Sequence, residues 1–240
     1  MRVFRGRAAS IAADRDASRR LLSVATDGEP AVRVWTPHRQ LAFGRRDGRR
    51  DGYDRAREAA RERDFPPIER DVGGRAVAYD GATTLAFARA EPVADFRRGS
   101  TDRYERATDA LKRALRTLDI DPVRGEPDDS FCPGAHSLSV TEPTGERRKL
   151  VGIAQRVRSD AALVAGIVLV ANREALADAL ETVYDALAVP LDPATVGTVA
   201  DAGGPSDPRT VRTAIEGCLI GDETDVSVER IDAERTRGRR

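Results

Sequence analysis

The chain has 240 residues, and its 40 basic and 40 acidic side chains cancel to zero net charge; the cations are interspersed with acids rather than gathered in a stripe, so no nucleic-acid partner is expected. Two cysteines far apart, Cys132 and Cys218, make neither a disulfide framework nor a metal set. The longest apolar run, 161–171, is too short to span a bilayer, and the opening MRVFRGRAASIAADRDASRR has charges where a signal peptide needs an apolar segment, so a soluble cytoplasmic protein with no membrane partner is expected.

In chain order, Leu21, Leu22 and Ala25 at helical spacing, followed by Gly28, predict a short helix over 16–28. AVRVWTP and QLAFGRRD then read as two strands separated by Pro37 and His38, and a charged helix follows near 51–63. In ERDVGGRAVAYDGATTLAFARAEPV, Asp80-Gly81 between two alternating apolar runs is the strongest hairpin signal of the chain. A helix is predicted over 102–118. A second hairpin runs from HSLSV through TEPTGE into RRKLVGIAQRV, with AALVAGIVLVA as a buried strand beside it. Two helices close the pattern, 172–189 with Asn172 as cap and 206–220 with Ser206 or Asp207 as cap and Pro208 in the first turn. Hairpins in sequence with separate helices predict an α+β fold, a mainly antiparallel sheet with flanking helices. No linker divides the chain, so a single domain over 1–230 is expected, with 231–240 as a disordered tail.

Residue usage marks two positions. The chain has 38 arginines and 2 lysines, so a lysine stands where arginine would serve for charge alone. Unlike guanidinium, a lysine ammonium is compact and sheds its proton when buried. Lys149 is therefore either kept for lysine chemistry or a leftover surface residue, as Lys112 on its amphipathic run reads. Cys132 precedes Pro133-Gly134 at the start of the second hairpin, where it is either an exposed thiol in a turn or a small apolar filler; Cys218, inside a predicted helix, reads as filler. Gly73 and Gly74 either let the backbone approach a ligand or mark a bulge, and Arg70 before them either meets a carboxylate or phosphate or faces water. His136 reads as a hydrogen-bonded strand residue rather than a base for Cys132, and His38 as an exposed turn residue. Arg45, Arg46, Arg49 and Arg50 form a basic loop that either steers an acidic partner or is solvated and partly neutralised by Asp47 and Asp51.

Three segments carry a family resemblance: RVWTPHRQLAFGRRD, ERDVGGRAVAYD and RRKLVGIAQR resemble the opening strand pair, the glycine-pair signature and the lysine strand of the lipoate-protein ligase and octanoyltransferase superfamily. That superfamily shares the catalytic fold of biotin protein ligases. Glu69 and Tyr79 depart from its pattern, which often has a second arginine and a histidine there, and the departures weaken the usual grip on an adenylate. FCPGAHSLSV before KLVGIAQR is most similar to the cysteine-dependent amidotransferases of the group.

The resemblance implies transfer of an octanoyl or lipoyl group through a thioester on Cys132, with Lys149 as its partner, to a lysine of a lipoyl domain. Arg70, Gly73, Gly74, Arg75, Ala76, Gly152 and Ala154 are implied in substrate binding, with no metal site. The implied partners are the lipoyl domains of 2-oxoacid dehydrogenase acyltransferase subunits and the glycine cleavage system H protein. No cofactor is required for transfer. An ATP-dependent lipoate-protein ligase, using ATP and Mg²⁺, is one alternative, and a non-catalytic binder of lipoyl domains is another. An ammonium beside a thiol favours the thiolate, and the same ammonium or amides near Gly152 would stabilise an oxyanion.

Overall fold

A strand near the start of the chain is concealed by the charges of the opening stretch. In the computed structural model, which describes residues 1–70 and 74–231, β1 (Arg2–Arg5) buries Val3 and Phe4 completely. α1 (Ile11–Thr26) starts earlier than its apolar spacing indicates, because Ser10 caps it by accepting from the Ala13 amide at 3.2 Å. β2 (Ala31–Trp35), β3 (Gln40–Phe43), α2 (Tyr53–Glu62), β4 (Pro67–Glu69), β5 (Val77–Tyr79), β6 (Thr84–Pro92) and α3 (Ser100–Arg116) follow. The second half runs β7 (Val123–Arg124), β8 (Leu138–Thr141), β9 (Arg147–Val157), β10 (Ala161–Leu169), α4 (Arg173–Ala186), α5 (Pro208–Ile220) and β11 (Ser227–Arg230).

Eight strands make one sheet in the order β11-β1-β2-β6-β10-β9-β8-β7, and β4-β3-β5 make a second, small one. β11, β1 and β2 are parallel and the remaining pairs of the large sheet are antiparallel, so the fold is α+β with a mostly antiparallel sheet, as expected. The hairpin from β8 to β9 and the β9–β10 pair form as predicted.

The Asp80-Gly81 hairpin does not. β5 pairs with β3 in the small sheet, whereas β6 pairs with β2 and β10 in the large one. The dipeptide does make a tight turn: the Asp80 carboxylate accepts from the amides of Ala82 (3.0 Å), Thr83 (2.8 Å) and Thr84 (2.8 Å). Burial acts to raise this carboxyl, but the Thr83 hydroxyl and the three amides outweigh it and hold it below the ordinary range. A Cβ at Gly81 would lie 2.7 Å from the Arg39 amide, so the turn is pressed against the start of β3 rather than standing free between paired strands. The strands flanking Pro37 and His38 likewise part into different sheets.

The alternation of β10 serves two cores. Val168 joins Val32, Val34, Phe87 and Val151 against Leu111 and Leu115 of α3 and Val211, Ile215 and Leu219 of α5. Ile167 and Leu169 join the small sheet, α2 and α4 through Leu41, Phe43, Ala60, Leu180, Val183 and Tyr184. α5 has the predicted cap, with the Asp207 carboxylate accepting from the Arg209 amide at 3.0 Å and Pro208 in the first turn. Asn172 precedes α4 with φ +64° but makes no side-chain cap; its amide donates to Asp80 at 3.3 Å and ties α4 to the turn between the sheets. The edge pairing extends to Ile231, whose amide donates to the Arg5 carbonyl at 2.8 Å, and the expected tail beyond it lies outside the described residues. No helix among the described residues is long and apolar enough to cross a membrane.

Candidate active site

Lys149 stands on β9 at a bulge. Ser139 pairs with Lys149 and Leu138 with Val151, so Leu150 is the extra residue and alternation is broken there. The break turns Lys149 to the same face as Gly152, whose absent Cβ would lie 3.8 Å from the lysine Cε. In an unbroken strand the two would point to opposite faces. Lys149 is 0% exposed, which removes the surface alternative. Its ammonium donates to Glu126 Oε2 at 2.6 Å, the Phe131 carbonyl at 2.8 Å and the Cys132 carbonyl at 2.9 Å, and it lies 4.8 Å from the Phe131 ring centroid. Three donors meet three acceptors, so the cation is fully used.

Glu126 is the hub of this loop. Its second oxygen accepts from the Gly134 amide at 2.6 Å, and the oxygen shared with Lys149 also accepts from the Ser137 hydroxyl at 2.7 Å. Lys149 and Glu126 together hold the 131–137 turn from both sides. Cys132 sits in it with φ +42°, a left-handed conformation that costs a non-glycine residue roughly 1–3 kcal/mol and persists only where the surroundings impose it.

The sulfur meets a second loop. The Arg75 amide donates to Cys132 Sγ at 3.4 Å, and Arg70 Nη2 lies 3.8 Å from it. A Cβ on Gly74, which has φ +94°, would stand 2.9 Å from the sulfur, so this position admits only glycine without displacement. Gly44 supports the loop from behind, since a Cβ there would be 2.1 Å from the Gly74 carbonyl oxygen. Asp47, fully buried, accepts from the Gly44 amide at 2.9 Å and pairs with Arg75 Nη1 at 3.4 Å. Burial pushes its carboxyl up, against the Gly44 amide and Arg75.

Tyr184 of α4 joins the two loops. Its hydroxyl accepts from the Cys132 amide at 2.6 Å and donates to the Ala76 carbonyl at 3.0 Å. Burial, with Cys132 close by, pushes this phenol well up, and burial raises Tyr79 as well despite Arg70 beside it. Burial acts to lower the Arg70 guanidinium, but Cys132, Tyr79 and Tyr184 more than offset it, and the group is held above its ordinary value as a firm cation next to the thiol.

Of the residues read from the sequence, Arg70, Gly74 and Arg75 therefore border Cys132 and Ala76 is tied to it through Tyr184, while Gly73 lies outside the described residues. Lys149 reaches the Cys132 backbone and not its sulfur; the cation at the sulfur is Arg70. Gly152 and Ala154 belong to a strip of mostly small residues across the sheet. One row runs Gly152, Ile167, Ala86 and Trp35, and the next runs Ala154, Ala165, Ala88 and Arg33. His136 stacks on Tyr104 with centroids 3.8 Å apart and faces Arg124, and burial with Arg124 lowers its pKa; His38 bonds the Ala8 carbonyl. Glu126, Tyr184, Asp47 and Gly44 escape a reading of the sequence because each acts across the fold; the nearest signal is Tyr184, a hydroxyl on the otherwise apolar face of α4.

A family model described as the lipoyl protein ligase A/B catalytic domain matches residues 14–216. The octanoyl-[GcvH]:protein N-octanoyltransferase of Exiguobacterium sibiricum is 33% identical over 139 residues, covering 56% of this chain and 46% of the relative. That of Bacillus velezensis is 30% identical over 138 residues, covering 56% and 45%. The chain thus matches about half the length of these curated relatives. Among solved structures, a lipoate-protein ligase A bound with ATP superposes with a TM-score of 0.66 at 21% identity, covering 96% of this chain and 89% of that one. A lipoate protein ligase of T. acidophilum with bound lipoic acid gives 0.67 at 19%, with the same coverage. At such identities the likeness is one of fold.

Proposed function

The chain belongs to the lipoyl protein ligase A/B catalytic-domain family, and from that premise we propose that it transfers an octanoyl group from a carrier protein, through a thioester on Cys132, to a lysine of a lipoyl domain. The relatives named octanoyl-[GcvH]:protein N-octanoyltransferase support an octanoylated glycine cleavage H protein as donor. The observation that carries the proposal is the sulfur itself, held in a left-handed turn with the Arg75 amide 3.4 Å and Arg70 3.8 Å away. An inert filler has no need of such company.

In the first half-reaction the Cys132 thiolate attacks the donor's acyl carbonyl. The Arg75 amide and the Arg70 guanidinium are the donors nearest the oxyanion that forms, and they stabilise it. The carbon–nitrogen bond to the donor lysine breaks, and its amine leaves with the proton that the thiol gave up. In the second half the acceptor amine attacks the thioester, the carbon–sulfur bond breaks, and the amine's proton returns to sulfur. No oxidant, reductant or nucleotide enters this balance. Lys149 and Glu126 act as positioning residues that hold the Cys132 turn, and the strip from Gly152 and Ala154 toward Trp35 would floor the acyl chain.

ATP and Mg²⁺ belong to the ligase alternative. That chemistry has no task for Cys132, and here Arg70 is committed to the Arg75 carbonyl and the sulfur, while Glu69 sets a carboxylate rather than a second cation beside it. The same reading takes 1–230 as one catalytic domain working in the cytoplasm. A transfer assay with octanoylated H protein and an unmodified lipoyl domain tests it. Wild type is expected to transfer without ATP and Cys132→Ala not at all; equal transfer by both, or an absolute requirement for ATP, would remove the thioester mechanism.

A further inference from the structure

Several surface arginines of this chain are neutralised in place: Arg2, Arg61, Arg106 and Arg124 each meet a carboxylate within 2.8 Å. The loop between β3 and α2 gathers four that are not. Arg45, Arg46 and Arg49 are exposed and Arg50 is half-buried, and none of the four has a side-chain acceptor among the described residues. The acid that the sequence offers to balance them, Asp47, is turned fully inward to Gly44 and Arg75, which leaves Asp51 as the exposed acid within 45–51.

The loop is also stiff and close to the thiol. Asp47 donates its amide to the Gly44 carbonyl at 3.0 Å and accepts from the Arg50 amide at 2.9 Å, and the backbone at Gly52 approaches α4 so closely that a Cβ would lie 1.8 Å from the Ala186 carbonyl oxygen. A cleft of about 280 Å³ opens between Arg45, Gly48 and Arg49 on one side and Tyr53, Glu69 and Arg70 on the other. Arg70 is the residue that reaches Cys132. Glu69, the acid in the cleft, is held by the Tyr53 hydroxyl at 2.9 Å, and burial with Glu69 pushes that phenol up to about 12.

We propose that this four-arginine loop is the docking surface for an acidic protein domain, namely the carrier whose acylated or acceptor lysine is presented to Cys132; the proposal rests on the acyl-transfer reading above. Unpaired cations on a rigid loop at the mouth of a catalytic site favour encounter with a complementary acidic surface without a cost in broken internal ion pairs. A nucleic acid is the less suited partner, because the patch is a single loop and not a stripe that follows a phosphate backbone.

The test uses the full chain, purified H protein of the glycine cleavage system as the carrier probe, and a small octanoyl thioester as the domain-free donor. Arg46→Glu/Arg49→Glu is expected to weaken carrier binding about tenfold or more at low ionic strength, with the gap closing as salt is raised. Arg46→Lys/Arg49→Lys is expected to stay within about threefold of wild type, since steering needs charge and not a planar fork. Acylation of Cys132 by the small thioester, read by intact mass, is expected to be unchanged in both variants. Unaltered carrier binding by the glutamate pair would overturn the proposal, as would parallel loss of small-thioester acylation or capture of a short DNA duplex in place of the carrier. A wild type that binds the carrier through these arginines yet never acylates Cys132 would end the transferase reading and leave the docking surface standing.

Discussion

The two cysteines of this chain are both half-buried thiols, one against each core of the large sheet, and they differ in almost everything else. Cys218 lies within the regular helix α5, packed beside the α3–α5 core, and among the described residues nothing donates to its sulfur. Cys132 lies outside any helix or strand, with positive φ, its amide bound by Tyr184, its carbonyl by Lys149 and its sulfur by Arg75 and Arg70. Exposure does not separate them. What separates them is that at Cys132 four residues from three segments distant in sequence place hydrogen bonds on one residue, the surroundings that the proposed thioester nucleophile requires.

The strongest way to break this contrast is to remove the cation under the Cys132 turn. Lys149→Met strands the Glu126 carboxylate and frees the 131–137 loop, and loss of one partner from a buried pair costs about 3–5 kcal/mol. Denaturant unfolding should register that loss, and transfer should fall below detection. Lys149→Arg keeps the charge but not the three-acceptor geometry, and should lose most of its activity; near-normal turnover would remove the positioning role. Arg70→Gln takes the cation from the sulfur and leaves the turn in place. It should lower transfer by roughly 10²-fold, and should bring the alkylation rate of Cys132 toward that of Cys218 in a peptide-resolved labelling experiment. Selective labelling of Cys132 that survives Arg70→Gln would mean that the guanidinium is not what distinguishes the two thiols.

How much of this contrast can be read from the sequence depends on whether its causes are local. The β8–β9 hairpin, β10, α3, α4 and α5 are legible because apolar periodicity and turn residues specify them within one segment. β1 is hidden because two buried residues flanked by arginines make too short a pattern. Asp80-Gly81 misleads because turn chemistry is local, whereas the partners of the strands on either side are chosen by the sheets they join. Within the site, Cys132 and Lys149 stand out by rarity and Gly74 by its neighbour. The bulge at Leu150 that turns Lys149 inward, and the supporting contacts of Glu126, Tyr184 and Asp47, arise only when separate elements meet.

Smaller changes sharpen the comparison. Gly74→Ala puts a methyl 2.9 Å from the sulfur at φ +94°, and should cost about 1–3 kcal/mol and several-fold in transfer. Tyr184→Phe leaves the Cys132 amide without its acceptor and should cost about 1–2 kcal/mol, measured as a shift of the unfolding midpoint at constant slope. Cys218→Ala should be the mildest, within about 1 kcal/mol of wild type and unchanged in transfer, because only partial packing is lost.

Intact-mass analysis after incubation with an octanoyl donor tests the central claim most directly. Wild type and Cys218→Ala are expected to gain one octanoyl group that hydroxylamine removes, and Cys132→Ala none. An adduct that persists in Cys132→Ala, or that disappears in Cys218→Ala, would contradict the assignment of Cys132 as the thiol that carries the acyl chain.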